Sequence, residues 1–127
     1  MTIEIVISGK EGIIMTEINE IINKLKKNNE ISGIVRKIDE LGRIVIPIEY
    51  RRKFSLERPI NIAISSEENF VVIEIIKNEQ KDSQRLDELG RVLIKIELRN
   101  LLGWKEKDDI EIWNISKYII LKKVENK

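Results

Sequence analysis

Apolar residues in this chain fall into short β-branched runs, broken by polar or glycine-bearing segments. Thr2-Ile-Glu-Ile-Val-Ile-Ser8 reads as a strand, Gly9-Lys10-Glu11-Gly12 as a turn and Ile13-Ile14-Met15 as a returning strand. Thr16 is placed as an N-cap with Glu17 and Glu20 in the first turn, and Ile18, Ile21, Ile22 and Leu25 follow at helical spacing. That helix is expected to fray in Lys26-Lys27-Asn28-Asn29. Residues 33–39 then read as a strand, Glu40-Leu41-Gly42 as a tight turn and residues 43–48 as a strand apolar on both faces, hence buried. Pro47 lacks an N–H and suits a strand end or the first position of a helix, here the short one from Glu49 to Phe54. Ile60 to Ser65 and Phe70 to Ile75 are two more strands.

The pattern then recurs. Leu41-Gly42-Arg43-Ile44-Val45-Ile46-Pro47-Ile48-Glu49 returns as Leu89-Gly90-Arg91-Val92-Leu93-Ile94-Lys95-Ile96-Glu97, a constant offset of 48 residues. The match opens at Asp39-Glu40 and Asp87-Glu88 and runs without a gap through Arg51 and Arg99, Ile62 and Ile110, and Phe70 and Tyr118. A fixed period without insertion points to duplicated supersecondary units. Each unit reads β-β-α-β-β, the second with strands near 83–87 and at 91–96, 109–113 and 118–123 and a helix over 97–102. The polar segment Lys77 to Asp82 links them. The expected organisation is an N-terminal extension over 1–30, a first unit over 31–78 and a second over 79–127. The strand at 3–7 also resembles Ile60 to Ile64, so the extension reads either as a half-copy hairpin or as an ordinary Ile-rich hairpin.

Composition narrows the chemistry. The chain has 127 residues, 42% hydrophobic and 35% charged, which is a globular profile. A unit of about 48 residues buries too little surface to be stable alone, so the two units are expected to share a core. With neither Cys nor His, disulfides, thiolate chemistry, His-based metal sites and the commonest general base are excluded. No cofactor is expected. No apolar run reaches the roughly 20 residues of a membrane span, and residues 1–8 lack the basic start of a secretory signal, so a cytoplasmic location is expected. The net charge of +1 hides a local excess. Residues 36–53 hold Arg36, Lys37, Arg43, Arg51, Arg52 and Lys53 against Asp39, Glu40 and Glu49. Residues 84–101 hold Arg85, Arg91, Lys95 and Arg99 against Asp87, Glu88 and Glu97.

Gly33-Ile-Val-Arg-Lys-Ile-Asp-Glu-Leu-Gly-Arg-Ile-Val-Ile-Pro-Ile-Glu-Tyr-Arg-Arg52 closely resembles the DNA-binding module of AbrB-type transition-state regulators, within the wider AbrB/SpoVT/MazE group. The resemblance covers residues 33–76 strongly and 83–124 more weakly. It implies a mainly β fold with short helices: a swapped-hairpin β-barrel of two interlocked β-β-α-β-β units, here carried in tandem on one chain as in MraZ-type regulators, plus the N-terminal hairpin and helix. Internal and intermolecular pairing of the units are both open at this point.

The resemblance also implies a DNA-binding regulator without enzymatic activity, its partner double-stranded DNA. The basic positions it carries over are Arg36, Lys37, Arg43, Arg51 and Arg52, with Arg85, Arg91 and Arg99 in the second copy, where Gln84 and Asn100 replace two cations. Arginine offers phosphate or guanine a planar fork of donors. Arg51 and Arg52 on the short helix, with Arg36 and Lys37 on a neighbouring strand, are expected to form one basic surface. Arg51 and Arg99 are both expected to be exposed and cheap to replace in stability, with Arg51 the more important for DNA.

Asp39 and Asp87 are read as caps or braces of the glycine turns or as holders of the arginine two strands away, and Trp104 and Trp113 as core or oligomer contacts in preference to base-stacking groups. The alternative function is a MazE-type antitoxin, which binds a partner protein as well as operator DNA. Residues 1–30 are then the segment that would meet the partner. A homo-oligomer is open under either reading.

Overall fold

The protein is described by a computed structural model that covers residues 9–27, 32–54, 60–78 and 83–125, with side chains from residue 17 onward. It divides into two bodies, residues 1–32 and 33–127. In the first, α1 spans Gly9–Lys27. Gly9 to Met15 therefore belong to a helix and not to the turn and returning strand that their composition suggested. The reason is visible in the spacing: Ile14 stands four residues before Ile18 and continues the stripe of Ile18, Ile21, Ile22 and Leu25. Ile21 and Ile22 are buried, while Glu20, Lys24 and Lys26 are exposed. The strand expected at residues 2–8 lies outside the described residues, but the N-terminal hairpin is corrected, because its turn and returning strand are part of α1.

The second body is mainly β. Its strands are β1 (Ile34–Lys37), β2 (Arg43–Val45), β3 (Asn61–Glu67), β4 (Phe70–Ile76), β5 (Gln84–Arg85), β6 (Arg91–Leu93), β7 (Asp109–Ile115) and β8 (Tyr118–Lys123). Two short helices, α2 (Ile48–Arg51) and α3 (Ile96–Leu102), follow β2 and β6. Pro47 sits at the N-cap of α2 with φ −54°, a conformation its ring fixes in advance. Six strands form one curled sheet in the order β1-β7-β8-β4-β3-β5, and β2 and β6 form a separate two-stranded ribbon.

We call residues 33–78 and 83–125 the two halves of this body. Hairpins β3–β4 and β7–β8 form within each half, but every other pairing crosses between them. β1 pairs with β7, β5 with β3, β2 with β6 and β4 with β8, all antiparallel. The registers obey a local twofold relation. Ile44 faces Val92 in the ribbon and Val72 faces Ile120 in the sheet, and each pair is separated by the same 48 residues. Arg36 opposite Ile110 likewise corresponds to Gln84 opposite Ile62. The axis thus passes through the centre of the ribbon and the centre of the sheet.

Alternation along the strands fills the space between ribbon and sheet. Ile44, Ile46, Val92 and Ile94 from the ribbon side meet Ile62, Val71, Ile73, Ile110, Ile112, Ile119 and Leu121 from the sheet, all essentially inaccessible to solvent. Ile38, Leu86 and Trp104 complete this cluster, which places Trp104 in the core. Trp113 is also buried and packs at an angle against Phe70, with ring centroids 6.5 Å apart. The ribbon departs from the sequence reading on one point. Ile44 and Ile46 are buried but Val45 is exposed, because alternation turns it to the outer face of the ribbon, which nothing among the described residues of this body covers.

A fragment of residues 31–77 should therefore fail to form a stable monomer, since β1 and β2 lose the strands they pair with. Circular dichroism with sedimentation equilibrium should show either an unfolded chain or a dimer. A folded monomer would contradict the exchanged pairing.

Candidate nucleic-acid interface

The two turns that lead into the ribbon are built alike. In the first, Asp39 Oδ1 accepts hydrogen bonds from the amides of Leu41 (3.0 Å) and Arg43 (2.7 Å), and Oδ2 accepts from Arg43 Nε (2.8 Å). In the second, Asp87 takes the amides of Leu89 (3.0 Å) and Arg91 (2.8 Å) and the Nε of Arg91. A short carboxylate reaching its own backbone two residues on is a common way to hold a tight turn. Burial by itself would raise both carboxyl pKa values. The amide of the arginine, its guanidinium and the leucine amide outweigh that effect and hold Asp39 and Asp87 below the ordinary 3.8. Gly42 and Gly90 close these turns at φ +86° and +79°, a region that side chains with a Cβ rarely enter.

These glycines serve a second purpose. Arg51 sends Nε to the carbonyl of Ile46 (2.8 Å) and lays its guanidinium on Gly90 of the other half. Arg99 repeats this with the carbonyl of Ile94 (2.8 Å) and Gly42. A Cβ on Gly42 would stand only 2.5 Å from Arg99 Nε, so the space that the missing side chain leaves is occupied by the guanidinium. The ribbon ends close the same contact, with Ile46 N bonded to Gly90 O (2.8 Å) and Ile94 N to Gly42 O (2.9 Å). Arg51 and Arg99 are thus half-buried clamps between the halves, and the expectation that both are exposed is corrected. Their sequence neighbours gave no sign of this, because the partner glycine lies about 40 to 60 residues away in the chain.

Four of the eight arginine and lysine candidates converge here. Arg99 lies on the turn that Arg43 closes, and Arg51 on the turn that Arg91 closes. In each case Nε is the bonded nitrogen, and among the described residues no acceptor is recorded for the terminal nitrogens of these four. Around them stand exposed aliphatic side chains in matched pairs, Leu41 with Leu89, Val45 with Leu93 and Ile48 with Ile96.

The other four candidates are placed differently. Arg36 and Lys37 are adjacent in β1 and so point to opposite faces of the sheet, which corrects the expectation that they join one surface with the helix. Arg36 is half-buried on the side of Ile110 and bonds the carbonyl of Val35 (3.0 Å). Lys37 is exposed and pairs with Asp109 (2.7 Å). Arg52 is exposed at the end of α2, and Arg85 is exposed on the edge strand β5. The helix α2 is tied down by Tyr50, a residue that the sequence reading did not single out. Its hydroxyl donates to the carbonyl of Ile112 in β7 (2.9 Å), and burial raises its pKa.

Fold and site together define a class: a mainly β body with short helices and a curled half-barrel sheet, consistent with an AbrB-type β-barrel, with arginines gathered about a local twofold axis. Within the chain, 46 residues are 58% identical to the transition state regulatory protein AbrB of Bacillus subtilis (strain 168). That stretch, which is AbrB-like, covers 36% of this chain and 48% of the curated relative, so the chain spans about half of that protein's length. No family model matches the chain, and no solved structure matches it.

Replacing Arg51 or Arg99 with Ala should lower stability by about 1.5–3 kcal/mol, the range for a hydrogen bond to a charged group. Lysine should not restore it, because it has no flat fork to lie on the glycine. Urea titration measures this, and a loss within ~0.5 kcal/mol would mean that the clamp contributes little.

The aspartate turns predict a pH effect. Both folded pKa values lie below the unfolded one, so their contribution is complete above the carboxylate range and is lost as pH falls through the folded values. The urea midpoint should fall as pH is lowered below 3.8, and less steeply in an Asp39→Asn, Asp87→Asn double variant.

Proposed function

We propose that this chain is a DNA-binding regulator of transcription of the AbrB type, in which two tandem copies of one unit close a single barrel and present an arginine-rich surface to duplex DNA. The observation that carries the reading is the 58% identity over 46 residues to the transition state regulatory protein AbrB. The matched registers about Ile44 and Val92 support the tandem copies. Arg43, Arg51, Arg91 and Arg99 support the surface, because each is fixed at Nε and carries two further nitrogens suited to phosphate oxygens. A side chain held at its Nε loses little further freedom on binding, which favours contact with a rigid backbone. Regulation follows by occupancy: the protein sits on promoter DNA and excludes polymerase, with DNA shape and flexibility setting preference alongside base contacts. The role is binding without catalysis.

Fluorescence anisotropy with a short AT-rich duplex over a range of salt tests the proposal. If all of Arg36, Lys37, Arg43, Arg51, Arg52, Arg85, Arg91 and Arg99 meet phosphates, the slope of log affinity against log salt approaches roughly −7. If only the first five engage, it is roughly −4 to −5. A slope near zero would remove phosphate contact as the driving force and the proposal with it.

A further inference from the structure

The barrel has a twofold framework and an uneven charge. The framework is matched position by position: Ile44 faces Val92 on the axis, the two aspartate turns share their hydrogen bonds, and the exposed aliphatic pairs correspond. The charge is not. Arg36, Arg52 and Lys53 in the first half correspond to Gln84, Asn100 and Leu101 in the second, and Lys95 in place of Pro47 returns only one cation. Arg52 and Lys53 are exposed just after α2 and Asn100 and Leu101 are exposed within the last turns of α3, so these differences lie on the surface. Two identical chains related by a true dyad would read both halves of a duplex alike. A single chain that carries both halves has no such constraint.

We infer that the protein seats on duplex DNA in one orientation, with residues 36–53 over the half whose minor groove is narrow and most negative, such as an A-tract, and residues 84–101 over the other half. The inference rests on the DNA-binding reading above. Its physical basis is field matching: a narrow minor groove concentrates negative potential and attracts arginine, so the more cationic half gains more from it. The preferred site is then directional and non-palindromic. The shared framework lets either half sit on either side, and the cations at positions 36, 52 and 53 choose between the two placements.

The absence of cysteine permits a direct test. Glu40 and Glu88 are exposed and occupy matching places on the two turns. Each is changed to Cys in a separate full-length protein and carries a tethered hydroxyl-radical cleavage reagent. The duplex has an A-tract on one side and mixed G·C-rich sequence on the other. The expected result is that the reagent at position 40 cuts the A-tract side and the reagent at position 88 the other, each with a bias of about tenfold, or ~1.4 kcal/mol. Changing Gln84→Arg, Asn100→Arg and Leu101→Lys together should remove the bias while binding persists. Binding with equal cutting on both sides overturns the orientation alone. A bias that survives the three changes overturns its origin in charge. No binding to any duplex overturns the DNA-binding reading and this inference together.

Discussion

Neither half of the barrel can satisfy its own backbone. Within residues 33–78, β3 and β4 form a hairpin, but β1 and β2 find their partners only in β7 and β6 of the other half. An unpaired strand edge over an apolar face is costly when buried and sticky when exposed, so the two halves are stable only together. The rest of the second body follows from this exchange. The core lies between ribbon and sheet because both are assembled from the two halves. The dyad arises because each half offers the other the same edges. Each glycine turn meets an arginine from the opposite half, for the ribbon register brings Gly90 to Ile46 and Gly42 to Ile94.

That register gives the arginines two tasks. Nε of Arg51 and Arg99 holds a carbonyl of its own half, and the guanidinium fills the hollow over a glycine of the other. Arg43 and Arg91 are held by an aspartate in the same manner. A charge held this way is pre-oriented, and pre-orientation reduces the entropy lost on meeting a ligand. Under the proposed function, structure and binding are coupled at these positions, and an affinity measured for an Arg51 variant without a stability measurement cannot be assigned to contact alone.

Much of this was legible in the sequence because it is local or periodic. Alternating β-branched runs, the turn at Asp39 to Gly42, its return at Asp87 to Gly90 and the constant offset carry the eight strands of the second body, the place of its short helices and the likeness of the two halves. The roles of Asp39 and Asp87 as turn braces were also readable, since a carboxylate reaches amides two and four residues on without help from the rest of the fold. The resemblance of residues 33–52 to AbrB-type modules pointed to the barrel. It also pointed to the basic positions, of which Arg43, Arg51, Arg91 and Arg99 are brought together.

What the tertiary structure alone decided lies between residues far apart in the chain. The clamp of Arg51 on Gly90 and the bond of Tyr50 to Ile112 depend on which strands pair and in which register, and a slip of one residue would turn every side chain to the other face. The same alternation separates Arg36 from Lys37, neighbours in sequence that occupy opposite faces of β1. Val45 lies exposed for a comparable reason: its composition suits a buried strand, but alternation turns it to the uncovered outer face of the ribbon. At the other end of the chain, Gly9 to Met15 joined a helix because the spacing of Ile14 and Ile18 outweighed local turn chemistry. The sequence by itself determined the two aspartate–glycine turns and the constant offset between them. The fold determined which charges hold the halves together, because that depends on distances no local spacing records.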